Sequence, residues 1–258
     1  MVGDGMAEVS VVESVKIKEK DYTAVLGFAG AGFIGNTALM FVTRSKGFKQ
    51  VGHVKSIHMP PMTLIVEGKA TQSFRVYADE QNGLLYLITE NLIPAEGCYA
   101  IGGSLVRWLR KKGVKKVFSI EGLPLGGVSS EKALEFSTGP AEASKIGAPP
   151  VREGAISGLN AGMLEECIEQ NIPWTTIFIP TPKLMSIDYA ASAEAVEVLN
   201  KMFKLGVDSS PLRSVEAQRP AQQKQRSGFS RLLKKWVPKI NPVFWRTLSL
   251  SLHSFRLG

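Results

Sequence analysis

The most chemically suggestive segment of the chain is a glycine-rich turn at residues 30–35, Gly-Ala-Gly-Phe-Ile-Gly. Its GxGxxG spacing, between an apolar run and a helical pattern, is typical of a dinucleotide-binding turn, in which amides at a helix N-terminus meet a pyrophosphate. The acidic residue that binds the ribose in such sites is missing, because no Asp or Glu occurs between Asp21 and Glu67. NAD is therefore disfavoured, whereas NADP stays open if Arg44 or Lys55 reads its 2′-phosphate.

The same turn also matches the spacing of a P-loop, with Asn36 in the position of the P-loop lysine. Without that lysine the loop lacks the cation that meets the β- and γ-phosphates, so ATP hydrolysis is not expected. The glycines have a second explanation, since they allow a helix to pack tightly on a sheet. We predict a structural glycine turn, with a ligand loop as the alternative, formed by Gly27, Gly30, Gly32, Gly35 and Asn36.

Two acidic residues are candidates for acid–base chemistry. Glu90 and Glu121 each close a predicted strand at its carboxyl end, where open α/β sheets hold their ligands. They could form a carboxylate pair, or they could cap loops and helix starts. No GxSxG motif occurs, the three histidines are dispersed, and neither Cys98 nor Cys167 has another Cys or a His nearby in sequence. We therefore expect no catalytic residue, metal or cofactor.

The order of apolar patterns predicts an α/β fold. After Glu90, strand patterns alternate with helical patterns of about 10 to 15 residues, which implies parallel strands joined by crossovers and a sheet covered on both faces. Before it, short strand patterns and an Asn-Gly turn at 82–83 predict an antiparallel hairpin addition near Leu64 to Leu87. The sheet is therefore expected to be mostly parallel.

Charge divides the 258-residue chain, whose net charge is +8, into two parts. Residues 213–258 contain ten Lys and Arg against one Glu, whereas the first 212 residues contain 21 basic and 22 acidic side chains. From about Ser209 the sequence is also rich in Pro, Gln, Arg and Ser. We predict an α/β domain at 1–212 and a basic tail at 213–258.

Neither a secretory signal nor a membrane span is predicted. The first eight residues contain no basic or apolar region of the kind found in signal peptides. The uncharged stretch Tyr22 to Thr43 is long enough to span a bilayer, but four glycines and Asn36 in its middle indicate a strand that turns into a helix. With two widely separated cysteines, a reducing cytoplasmic location is expected.

The tail contains one amphipathic pattern. Residues 229–237 predict a basic helix whose apolar positions are Phe229, Leu232, Leu233 and Trp236. A segment of this kind can bind a groove of a partner protein, an anionic membrane surface or nucleic acid, or it can remain a solvated extension.

Four segments, in their order along the chain, resemble the proteasome assembly chaperone family and in particular its archaeal homologues. They are residues 27–36 after the first core strand, Gly122-Leu123-Pro124 after a later strand, residues 158–164 at the start of a helix, and Ile187-Asp188-Tyr189-Ala190-Ala191 at the start of the last core helix. The resemblance covers about residues 15 to 208.

This resemblance implies a three-layer α/β/α sandwich, similar in topology to nucleoside phosphorylases, with no established catalytic site. Family members form homo-oligomers and bind proteasome subunits or the assembled core particle without ATP. Some archaeal members dock through a C-terminal hydrophobic-Tyr-any tripeptide, whereas this sequence ends in Arg256-Leu257-Gly258. The resemblance therefore favours docking of the tail through Leu232, Leu233 and Trp236 rather than through its last three residues.

We therefore predict an ATP-independent, non-enzymatic proteasome assembly chaperone or proteasome-binding adaptor that acts as a cytoplasmic homo-oligomer. Its expected partners are further copies of itself and subunits of the core particle, and its body is expected to bind neither nucleic acid nor membrane. The alternative is an NADP- or nucleoside-dependent α/β enzyme that uses the turn from Gly30 to Gly35, with Glu90 or Glu121 as acid or base.

Overall fold

The computed structural model describes residues 8–66, 68–124, 133–139 and 146–217. Ten strands and four α-helices are named in this part of the chain. The strands are β1 (Val9–Glu13), β2 (Tyr22–Phe28), β3 (Gln50–Ser56), β4 (Thr63–Val66), β5 (Lys69–Gln72), β6 (Phe74–Asp79), β7 (Leu84–Thr89), β8 (Val114–Pro124), β9 (Leu134–Ser137) and β10 (Trp174–Thr181). The helices are α1 (Ile34–Ser45), α2 (Ala95–Lys111), α3 (Gly158–Glu169) and α4 (Tyr189–Phe203), and a 3₁₀ turn at Ala31–Phe33 precedes α1.

Eight of the strands form one sheet in the order β1-β3-β6-β7-β2-β8-β10-β9. Its four central strands, β7, β2, β8 and β10, are parallel to one another. These strands are apolar runs that are buried on both faces, as in β7, where all six residues are buried. The antiparallel strands lie outside them, with β6, β3 and β1 on one side and β9 on the other. The predicted α/β class is confirmed, and the antiparallel part extends beyond the predicted hairpin.

Helices cover both faces of the sheet and enclose two separate hydrophobic clusters. The first cluster lies under α2 and α3, and the second under α1 and α4. Side chains of the central strands alternate between them, as expected from the two-residue period of a strand. In β8, for example, Val117 belongs to the first cluster, and Phe118 and Ile120 belong to the second. The molecule therefore has the three layers that the resemblance implied.

Two features of the fold differ from the elements predicted from the sequence. Strand β1 was not predicted, because its residues are mostly half-buried and give only a weak apolar pattern. The pattern near Leu64 forms a separate two-stranded sheet, β4 with β5, rather than joining the main sheet. Residues 210–217 are helical, and Leu212 is buried.

The segment from Tyr22 to Thr43 contains strand β2 and most of helix α1, which explains its lack of charge without a membrane. No helix among the described residues is long and apolar enough to cross a bilayer. The described helices and strands lie in one compact unit, Met1–Glu216.

Helices α2 and α3 cross at two glycines, and their backbones are in contact there. A methyl group on Gly102 would lie 2.8 Å from the carbonyl carbon of Gly162. A methyl group on Gly162 would lie 2.6 Å from the carbonyl oxygen of Cys98. Glycine is therefore required at this crossing by the distance between the helices rather than by a special backbone conformation.

Alanine at Gly102 is expected to lower the free energy of unfolding by about 1–3 kcal/mol, because the added methyl group must separate two backbones. Gly103 provides the matched control, since a methyl group there would meet only the ends of the Arg107 and Glu166 side chains, which can move. Gly103→Ala should be neutral, or stabilising by up to about 1 kcal/mol, through helix propensity. Urea unfolding of both variants measures the difference, and equal stabilities would contradict the proposed contact.

Candidate functional site

A cavity of about 340 Å³ opens at the carboxyl end of the central strands β2 and β8. Open α/β sheets hold their ligands at this edge, so the cavity is the natural position for a functional site. We call it the cleft. Its lining comes from the end of β2 and the turn and helix start after it, the segment after β7, the end of β8, the start of α3 with the residues before it, and β10. The lining residues are Phe28, Ala29, Gly30, Ala31, Ile34, Gly35, Asn91, Leu92, Ile93, Glu121, Gly122, Leu123, Pro124, Ala155, Ser157, Gly158, Leu159, Asn160 and Phe178.

The glycine turn after β2 has a left-handed backbone at two successive residues. Gly32 has a φ of +66° and Phe33 a φ of +49°. The first value suits glycine, whereas the second is uncommon for a residue with a side chain. This conformation reverses the chain so that α1 begins at Ile34 and runs back along the sheet.

Backbone hydrogen bonds connect this turn to the segment between β10 and α4. The Gly32 amide donates to the Leu184 carbonyl at 3.2 Å, and the Asp188 amide donates to the Gly32 carbonyl at 2.9 Å. The Phe33 amide donates to the Gly30 carbonyl at 3.0 Å. Two of the amides that a phosphate would need are therefore already used within the protein.

Three glycines bring the turn, β2, α1 and β8 into direct backbone contact. A methyl group on Gly35 would lie 2.3 Å from the Ile120 carbonyl oxygen, and one on Gly27 would lie 2.5 Å from the Gly35 carbonyl oxygen. One on Gly122 would lie 2.0 Å from the Ala31 carbonyl oxygen. These three positions therefore have no room for a side chain, as expected if the glycines allow the helix and the strands to pack closely.

The other two residues of the predicted turn have different surroundings. Gly30 faces open space and lines the cleft. Asn36 is buried at the start of α1, outside the cleft lining, and its Oδ1 has no hydrogen-bond partner among the described residues.

Asp188 holds the segment that covers the turn. Its carboxylate caps α4 by accepting from the Ala191 amide at 3.2 Å, and it also accepts from the Thr181 hydroxyl at 2.8 Å. Lys183 lies 3.6 Å from this carboxylate and forms a second ion pair with Glu216, in the helical segment 210–217. The sequence analysis predicts no role for Asp188 beyond its part in the family resemblance, although an Asp directly before a helix is a recognisable capping signal.

Glu121 is the titratable group of the cleft. Burial raises the pKa of its carboxyl group from 4.5 to about 7, against an opposing hydrogen bond from Asn160. The Asn160 Oδ1 accepts a hydrogen bond from the Ser119 hydroxyl at 3.2 Å. The Oε1 atom of Glu121 is buried and has no hydrogen-bond partner in the described part of the chain. A carboxyl group of this kind can exchange a proton near neutral pH.

The carboxylate pair, one of the two interpretations of Glu90 and Glu121, is not found among the described residues of the cleft. Glu90 is outside the cleft lining and forms an ion pair with Arg75, with 2.5 Å between Oε1 and Nη2. Arg75 is completely buried, and its guanidinium also donates to the Gln72 carbonyl at 2.6 Å. Glu90 therefore balances a buried charge, and Glu121 has no second carboxylate among the described lining residues.

The remaining candidate groups lie away from the cleft or are inert. Arg44 and Lys55 line other pockets, so neither is placed to read a 2′-phosphate at the turn. Burial raises the pKa of Cys98, and raises that of Cys167 to about 12, so both thiols stay protonated. Within the four described ranges, no group of three His, Cys, Asp or Glu residues could hold a metal ion.

Glu121→Gln should change how stability depends on pH. Between about pH 4.5 and 7 the folded chain keeps a proton on Glu121 that the unfolded chain releases, so raising the pH through this window destabilises the protein. Glutamine keeps the size of the protonated side chain, so the variant should be more stable than the parent by up to about 3 kcal/mol at pH ~8, with a difference near zero at pH ~4.5.

Urea unfolding at both pH values measures this difference. Glu169→Gln is the matched control, because Glu169 is exposed near the end of α3. A Glu121→Gln effect of the same size at both pH values would show that folding leaves the pKa of Glu121 unchanged and would contradict the raised pKa.

Taken together, the sheet order and the two helical layers define a three-layer α/β protein. The PAC2 family model matches residues 24–226. The chain therefore belongs to the PAC2 family, the family of proteasome assembly chaperones, which confirms the family inferred from its four sequence segments.

Similar proteins are found among archaea. PbaA of Pyrococcus furiosus, an archaeal homologue of proteasome-assembly chaperone, is 26% identical with a TM-score of 0.73, over 89% of this chain and 97% of PbaA. PbaB of the same organism, an archaeal proteasome activator, shares the fold with a TM-score of 0.72 at 16% identity, over 86% of this chain and 99% of PbaB. An uncharacterised protein of Methanocaldococcus jannaschii is 24% identical, over 76% of this chain and 82% of its own length.

The predicted docking residues of the tail, Leu232, Leu233 and Trp236, lie outside the described residues. Their role stays a prediction.

Proposed function

We propose that the protein is an ATP-independent proteasome assembly chaperone or proteasome-binding adaptor that acts as a homo-oligomer. The observation that carries this proposal is the likeness to PbaA, which extends over 97% of that chain at 26% identity. Because nearly the whole of PbaA is matched, the likeness involves the complete fold rather than a shared sheet.

The glycine turn supports ATP independence. Asn36 stands where a P-loop has its lysine, and the amides of Gly32 and Phe33 already have backbone acceptors. A triphosphate at this turn would have to break these hydrogen bonds and would gain no lysine in return. Binding to a partner is therefore expected to need no nucleotide.

Exposed apolar side chains support self-association. Ile65 in the β4–β5 sheet is 81% exposed, and Ile57 directly after β3 is 66% exposed. Ile57 and Met62 line a groove of about 770 Å³ that runs between these two elements. Ile57 and Met62 are exposed apolar side chains that line the same groove, and such groups are typical of protein interfaces, so we propose that copies of the chain meet there.

The alternative, an NADP- or nucleoside-dependent enzyme, has one supporting observation. Glu121 has a pKa near neutrality in a cleft at the carboxyl edge of the sheet, as a general acid or base would. Among the described residues Glu121 has no second carboxylate for acid–base chemistry, since Glu90 is paired with Arg75. We therefore prefer the chaperone proposal.

For the tail we propose docking through Leu232, Leu233 and Trp236, which share one side of the basic amphipathic pattern. We also propose that the α/β domain continues to the end of the segment 210–217, because Glu216 pairs with Lys183 there. The basic tail would then begin after this segment.

Binding of the full-length protein to purified proteasome core particle, measured by surface plasmon resonance, tests the proposal. We expect the same affinity with and without ATP, and an affinity about tenfold or more weaker for Trp236→Ala, because a buried tryptophan contributes strongly to an interface. Light scattering on the same sample should give a mass of several copies of the chain.

Removal of residues 256–258 is the matched control for the tail, and it should leave the affinity unchanged. Absence of binding by the full-length oligomer would contradict the proposed function. Loss of binding on removing the last three residues, but not with Trp236→Ala, would refute the docking residues alone.

A further inference from the structure

The cleft has an apolar wall that the proposed function does not use. Its volume of about 340 Å³ lies within the range of small-molecule sites, roughly 300–1,000 Å³. The apolar side chains come from four parts of the chain: Phe28, Leu92, Ile93, Leu159 and Phe178. A ligand with an apolar group of modest size would fit against them.

Two buried oxygen atoms of the cleft residues have no hydrogen-bond partner among the described residues. One is Oε1 of Glu121, and the other is Oδ1 of Asn91, a residue with only 2% exposure. The Asn91 side chain is oriented by its Nδ2, which donates to the Ser73 hydroxyl at 2.7 Å, so its oxygen remains an acceptor without a donor. Unpaired buried acceptors are unfavourable, and N–H donors of a ligand would satisfy them.

The charge of the cleft points to the same kind of group. No lysine, arginine or histidine is found among its described lining residues, so a Glu121 carboxylate has no cation beside it there. A ligand ammonium group would supply both the charge and the N–H donors.

The start of α3 provides a site of the opposite sign. Ser157, Gly158, Leu159 and Asn160 line the cleft, and the Ser157 side chain does not cap the helix. The first turn of α3 contains no acidic side chain. Its amides and the helix dipole therefore favour an anionic group that approaches from the cleft.

We propose that the cleft binds a small zwitterionic molecule of the apolar amino acid class. Its ammonium group pairs with Glu121 and Asn91, its carboxylate meets the first-turn amides of α3, and its apolar side chain lies against the wall that contains Phe28 and Phe178. This site is independent of proteasome binding.

A zwitterion fits better than the two simpler ligand classes. A phosphate or another purely anionic ligand would lie beside the Glu121 carboxylate and would be repelled by it. A purely cationic ligand would leave the first-turn amides of α3 without an acceptor. The two groups are neighbours, because Asn160 of that first turn hydrogen-bonds Glu121, so a molecule with both charges close together matches both of them.

Calorimetric titration of the full-length protein with three matched probes, above the pKa of Glu121, tests the proposal. The probes are L-phenylalanine, 3-phenylpropionate, which lacks the ammonium group, and 2-phenylethylamine, which lacks the carboxylate. L-Phenylalanine should bind about tenfold or more tightly than either of the others. Equal affinities, or no binding of L-phenylalanine at millimolar concentration, would overturn the proposal.

Glu121→Gln locates the binding. This variant should lose the preference for L-phenylalanine over 3-phenylpropionate, whereas Glu169→Gln, on the exposed side of α3, should keep it. An unchanged preference in a folded Glu121→Gln variant would contradict the site.

Amide chemical shifts of the parent protein give a second measurement. L-Phenylalanine should move the Gly30 and Gly158 signals but not that of Gly68, and the reverse pattern would place the ligand elsewhere.

Discussion

The contact between helix α1 and the central strands is the constraint on which the rest of the molecule depends. At Gly35 the helix backbone meets the Ile120 carbonyl of β8, and at Gly27 strand β2 meets the Gly35 carbonyl. No side chain fits at either position, so the helix lies directly on the sheet. We propose that this packing accounts for the spacing of the glycines without a phosphate ligand.

The same contact determines how the carboxyl edge of the sheet is closed. Beside this contact the turn is left-handed at Gly32. The Gly32 amide donates to the Leu184 carbonyl in the segment after β10, and the Gly32 carbonyl accepts from the Asp188 amide in the same segment. Asp188 fixes that segment by capping α4, and Lys183 connects it to the helical segment 210–217. What remains open at this edge is the cleft beside Glu121. These contacts lie at the edge of the sheet that binds nucleotides in other α/β proteins.

Much of the fold could be predicted from the sequence, because the central strands are continuous apolar runs and glycines mark the start of α1 and the end of α2. The half-buried edge strand β1 could not, since its pattern is too weak. The glycine motif left two explanations open because close packing and phosphate binding both demand glycine. Residues far apart in sequence were the least predictable: nothing local shows that Arg75 neutralises Glu90, or that Asn160 lies beside Glu121. Those relations depend on the register of the sheet and on the placement of α3.

We propose that the turn at residues 30–35 is part of the fold and not a nucleotide site. Titration of the full-length protein with ATP and with NADPH, followed through the amide signal of Gly32, tests this claim most directly. The account predicts no binding at micromolar concentration and an unshifted Gly32 signal, because this amide donates to the Leu184 carbonyl. Micromolar binding of either nucleotide with a shift of the Gly32 signal, lost in a folded Gly32→Val variant, would contradict it.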